Sequence, residues 1–194
     1  TLSLPPVETT GSVFRIDSGD GSREYLLLEN RQWMGFDQNL YEPGLLIWHI
    51  DPETIEIPGG GINNDPDRMG VWLRQADGLN ELGTPDGGRG DAGDPFPGAF
   101  GNTEFHAGSN PSSWTHEGRA MGATLLDIGQ VGDNMAFRVF TRYQSLTVRT
   151  EGAPSGAGLV SVDESLPGPA EWILDSAPFQ HHVIEAAPGE VVSR

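Results

Sequence analysis

EYLLLENRQ (residues 24–32) and GLLIWHID (residues 44–51) decide the fold class of this chain. The second stretch opens on Pro43-Gly44 and holds an unbroken apolar run, LLIWHI, too short for a stable helix. A strand buried on both faces accounts for such a run most simply. The first stretch, with residues 24–30 as a strand, follows the turn-rich segment Ser18-Gly19-Asp20-Gly21-Ser22 and a β-branched and aromatic run at residues 12–17. Two such runs around a glycine-rich turn predict a hairpin. Further out, residues 71–76, 123–128, 134–140 and 145–150 continue the series, the first of these alternating in the manner of a strand with one buried face.

The composition agrees with many short elements. The 194 residues include 27 Gly and 15 Pro against 36% hydrophobic residues, which favours strands and turns over long helices. The length suits one ordinary domain with a smaller appendage. A boundary is expected near Tyr143 and Gln144, giving a β-rich unit over residues 1–142 and a second over residues 143–194. The tail has the short strands and Gly/Pro turns of an immunoglobulin-like module, at about half the length of the usual sandwich of roughly 100 residues. The expectation is therefore a mainly β protein: an antiparallel β-sandwich-like domain with a long Gly/Asp-rich loop, followed by a partial immunoglobulin-like β module.

Twenty-eight acidic residues face 11 basic ones, all of them arginine, for a formal net charge of -17. Such a surface repels phosphates, and the arginines are scattered along the chain, so nucleic acid is not an expected partner. No apolar stretch approaches the length of a membrane span. With no basic-then-apolar start either, an exported form of this sequence would be a mature piece. The absence of Cys removes disulfides and thiolate-bound zinc.

Few motifs offer chemistry. His116-Glu117 begins like the zinc-hydrolase signature H-E-x-x-H, but position 120 is Ala, and Gly118 and Gly122 disfavour the helix that the signature requires. His49 sits inside an apolar run, as a hydrogen-bonded core histidine does. His181 and His182, on a strand, point to opposite faces. Asp17-Ser18-Gly19 copies half of an aspartic peptidase site and has no second half in the chain, so a turn explains it. Arg89-Gly90-Asp91 is a short match to an integrin-binding tripeptide in a loop where these residues recur by chance.

Residues 77–113 lose all regular periodicity, and a loop that long is usually functional, ion-bound or disordered. Its aromatic residues, with Phe96, Phe100, Phe105 and the adjacent Trp114, argue against disorder and for packing on the body of the domain. Asp77, Asp86, Asp91 and Asp94 alternate there with glycines. Calcium takes six to eight oxygen ligands, and glycine lets a loop wind tightly enough to aim several inward, so these four form the candidate metal site. Asn63, Asn64, Asp65 and Asp67 form a weaker second candidate.

The blocks EYLLLENRQ, then GFD (residues 35–37), PGLLIWHID (residues 43–51), VWLRQADG (residues 71–78) and GDAGDPFPG (residues 90–98) occur in one order. Together they resemble the region downstream of the H-E-x-x-H helix in immune inhibitor A-like secreted metallopeptidases, over roughly residues 1–142. The resemblance implies an exported bacterial zinc endopeptidase, acting on protein or peptide substrates, with calcium-stabilised β-rich regions and sandwich modules behind them. It supplies no catalytic residue here, because neither the two zinc histidines nor their glutamate is present. The expectation is an inactive, supporting portion whose partner is an upstream catalytic domain, secreted or at the cell surface. The alternative is a free-standing calcium-stabilised β-sandwich that binds carbohydrate or a cell-surface partner through Trp33, Tyr41 and Trp114.

Overall fold

A computed structural model describes residues 1–84 and 88–141 in full, together with the backbone of three strands, Ser145–Thr150, Glu171–Ser176 and His181–Glu185. The chain is mainly β. The strands expected at the hairpin form as β2 (Ser12–Asp17) and β3 (Tyr25–Arg31), paired antiparallel with Phe14 opposite Leu28 and Ile16 opposite Leu26. The turn between them is closed by Ser18, whose N–H donates to the Glu24 carbonyl, and by Asp20, which accepts from the Ser18 hydroxyl and the Ser22 N–H. Asp17-Ser18-Gly19 is thus a turn, as its isolation in the sequence implies.

β4 (Gly44–Ile50) pairs along the whole length of β3 and carries six buried residues out of seven, the doubly covered strand expected from LLIWHI. β5 (Val71–Leu73) adds to its other edge. It is only three residues long, shorter than the six expected: the Arg74 N–H still bonds in register to the Ile47 carbonyl, but Ala76 and Asp77 then donate to the carbonyls of Asp94 and Gly93 in the acidic loop.

A second sheet has the order β1, β7, β6, formed by β1 (Leu2–Leu4), β6 (Ala123–Leu126) and β7 (Met135–Thr141). β1 is an element that the sequence reading did not anticipate; its single Leu-Ser-Leu alternation is too short to register as a period. The two sheets enclose one core. Leu2 and Leu4, Phe14 and Ile16, Leu26 and Leu28, Leu45 and Ile47, Leu125, and Met135 with Phe137 are all buried in it. These are alternate residues of their strands, and Phe14 meets Phe137 edge to face across the interface at 6.1 Å. Asn30 joins the layers at one end, donating from Nδ2 to the carbonyls of Leu4 and Gly132.

β8 (Ser145–Thr150) pairs antiparallel with β2 and extends the first sheet, followed by β9 (Glu171–Ser176), parallel to β8, and β10 (His181–Glu185), antiparallel to β9. The expected boundary at Tyr143 and Gln144 lies outside the described residues. No described helix is long and apolar enough to cross a membrane. The two α-helical turns among the described residues, α1 (Val7–Thr10) and α2 (Pro52–Ile55), connect strands.

Candidate metal centre

The acidic loop is anchored at both ends before its carboxylates come into play. Ala76 and Asp77 donate their N–H groups to the carbonyls of Asp94 and Gly93, and Phe96 exchanges two backbone hydrogen bonds of 2.9 Å with Leu45 of β4. Phe96 and Phe105 are fully buried in the core, as expected of a packed loop. Phe100 and Trp114, in contrast, lie exposed, Trp114 with its indole N–H turned to the Ala107 carbonyl.

Within this frame Asp77, Glu81 and Asp91 converge, each offering an oxygen, with these atoms all within 4.8 Å of one another. Two glycines make the approach possible. A Cβ on Gly93 would stand 2.4 Å from Asp77 Oδ2 and 3.0 Å from Asp91 Oδ1, and one on Gly90, whose φ is +93°, would stand 2.6 Å from Asp94 Oδ2. Asp94 sits beside Asp91, accepting its N–H at 2.6 Å. Of the four aspartates expected here, Asp77 and Asp91 belong to the cluster, Asp94 adjoins it, and Asp86 lies outside the described residues. Glu81 was missed. It returns to the site because Asn80 adopts a left-handed conformation, φ 58°, ahead of a single 3₁₀ turn. The Asp-x-x-x-Glu spacing was the available signal.

The charges of this cluster are poorly matched by the protein itself. Asp77 Oδ2, Glu81 Oε2 and Asp94 Oδ1 are buried and accept no hydrogen bond, and neither does Asn80 Oδ1. Burial, together with the negative charges of Asp91 and Glu81, raises the proton affinity of Asp94 above its ordinary value of 3.8, against the pull of the Asp91 N–H and the neighbouring Gln75. The Gln75 amide is fully buried and close enough to be felt electrostatically, yet neither of its polar atoms makes a hydrogen bond of normal geometry. Buried carboxylate oxygens without partners are costly, and a hard cation with several oxygen ligands removes that cost. The donor set, all oxygen, fits calcium.

A second convergence lies at the other end of the β3–β4 pair. Glu24, two residues before Leu26, shares its core-facing side; His49 stands opposite Leu26, and Trp72 opposite His49. Strand parity therefore points all three the same way. His116 arrives from the segment before β6, its backbone N–H 3.0 Å from Glu24 Oε2 and its Nε2 donating to the Met69 carbonyl at 2.9 Å. Glu24 Oε2 also lies 2.6 Å from His49 Nε2. Burial, then the charge of Arg74 and the nearness of His116, lower the His49 proton affinity despite Glu24, so the ring is neutral. Burial opposes ionisation of Glu24, but His49 and the His116 N–H outweigh it. An ionised carboxylate only accepts, so the His49 proton is on Nε2 and Nδ1 is a bare lone pair, buried and without a partner. His49 is the core histidine that the apolar run implies.

No family model, curated protein or solved structure matches this chain. The weaker candidate at residues 63–67 does not gather as a ligand set: the Asn63 amide both donates to and accepts from the Val71 backbone, and Asp65 caps its own turn through the Asp67 N–H. His181 and His182 lie on β10, of whose side chains nothing is described.

Proposed function

We propose that this chain is a non-catalytic, calcium-stabilised β-rich portion of a secreted bacterial zinc metallopeptidase, with proteolysis performed by an upstream domain. The ordered blocks from EYLLLENRQ to GDAGDPFPG support the family, and the unpartnered buried oxygens of Asp77, Glu81 and Asp94 carry the calcium reading. Catalytic zinc of the H-E-x-x-H kind does not fit, since Ala120 stands where the second histidine is required and His116 lies on no helix. No hydrolytic step is assigned to these residues.

Calcium added to the purified chain should raise its melting temperature and a chelator should reverse the change; identical melts in calcium and chelator overturn the calcium reading. Chelator-sensitive proteolysis by the 194-residue chain alone overturns the non-catalytic one.

The second reading, a binding module for carbohydrate or a cell-surface partner, is favoured by the β3–β4 connection. There Trp33 is 53% exposed, Tyr41 61% and Phe36 105%, while the Trp33 indole N–H is held by the Leu40 carbonyl. Loss of glycan or cell-surface retention in Trp33→Ala would favour it over the first; retention equal to the parent chain would remove its support.

A further inference from the structure

We infer that Glu24, His49 and His116 form a three-ligand binding site for a zinc-class divalent ion, separate from the acidic loop and independent of the calcium reading. Their ligand atoms all lie within 4.8 Å of one another. Two imidazole nitrogens and one carboxylate oxygen suit zinc, whereas calcium prefers oxygen alone.

One of the two histidines is already oriented for an ion by a group that is not itself a ligand. The Met69 carbonyl takes the His116 Nε2 proton at 2.9 Å, which leaves Nδ1 as that ring's electron pair. A backbone carbonyl on the second nitrogen is the usual device that orients a metal-binding histidine. On His49 the proton now lies on Nε2, toward Glu24, and Nδ1 is an unpartnered lone pair in a side chain only 1% exposed. An ion bound at Nε2 moves that proton to Nδ1 on the same ring. The ring stays neutral, no proton leaves the protein, and Glu24 offsets one of the two added charges.

Aromatic rings pack on the faces of both imidazoles. Trp72 stacks against both imidazoles, with ring centroids 6.2 Å from His49 and 5.9 Å from His116, and the two imidazoles stack on each other at 4.8 Å. Arg74 opposes a cation, but its guanidinium lies over the Trp72 ring at 4.1 Å and one of its nitrogens is held by the Ser112 carbonyl. The ion would clasp the segment around His116 to the β3–β4 pair, where one carboxylate now holds both.

The test is zinc titration of the full chain in saturating calcium, which keeps zinc from reporting on the acidic loop. The chain should retain about one zinc ion through gel filtration. His116→Gln, whose amide can still donate to the Met69 carbonyl, should weaken zinc binding by at least about tenfold. Nitrogen-15 NMR of the unsubstituted chain should show the His49 proton passing from Nε2 to Nδ1 as zinc is added, a readout that needs no variant to fold. Failure to retain zinc, unchanged affinity in His116→Gln, or an unmoved His49 tautomer at full zinc occupancy would each overturn the site.

Discussion

Asp94 has opposite consequences with and without a cation. Its folded-state pKa is raised, so the folded protein binds a proton there more readily than the unfolded chain does. The stabilisation that follows is complete below the ordinary value of 3.8 and is lost as pH rises through the raised value. Without calcium, the chain should therefore gain stability as pH falls from neutral toward that window, and Asp94→Asn should abolish the gain in denaturant melts run across pH. At neutral pH the same substitution should raise the calcium-free melting temperature by a few degrees, about 1 kcal/mol for one relieved like-charge contact, while reducing the increment that calcium adds. A substitution that lowers stability equally in both conditions would count against a cation at this loop. In the core, Phe14→Ala should cost about 3–5 kcal/mol in chemical denaturation, since Phe14 is fully buried at the meeting of the two sheets.

At the scale of elements, the short helix α2 depends on Asp51, the residue that caps its start. Asp51 accepts the N–H groups of Glu53 and Thr54, the Thr54 hydroxyl at 2.7 Å and an Arg68 nitrogen at 3.1 Å. Burial works against its ionisation, but Thr54, Arg68 and Glu53 outweigh this and hold its pKa below 3.8. Its contribution is thus present above 3.8 and lost as pH falls through the depressed value, the reverse of Asp94. Asp51→Ala should destabilise by about 2 kcal/mol, measured by denaturant melts at neutral pH, with the gap to the parent chain closing in strong acid. Gly44 ties β4 to the acidic loop, because a Cβ there would meet the Phe96 carbonyl oxygen at 2.5 Å. Gly44→Ala should loosen the Leu45–Phe96 pairing and weaken calcium binding in titration calorimetry, although Gly44 touches no carboxylate of the cluster.

For the whole molecule, a formal charge of -17 means that any salt relieves self-repulsion. A specific site predicts more. Millimolar calcium should raise the melting temperature well beyond sodium chloride of the same ionic strength, and Asp77→Asn with Asp91→Asn should reduce calcium to the effect of the salt. Equal responses to the two salts would reduce the acidic loop to ordinary surface charge.

The sequence alone determined the strands marked by apolar runs between turn residues. LLIWHI, too short for a stable helix, is most simply a covered strand, and the runs at residues 12–17 and 24–30 announced their hairpin through the turn between them. It also marked Asp77, Asp91 and Asp94, since carboxylates among glycines are a local pattern. Tertiary structure alone brought in Glu81, through the left-handed Asn80, and alone gathered Glu24, His49 and His116, which stand 25 and 67 residues apart along the chain. Strand parity put the first two on one face, but only the packing of the segment before β6 set His116 beside them. Periodicity and turn chemistry act between neighbours in sequence; a ligand set drawn from three segments exists only once the sheets have closed.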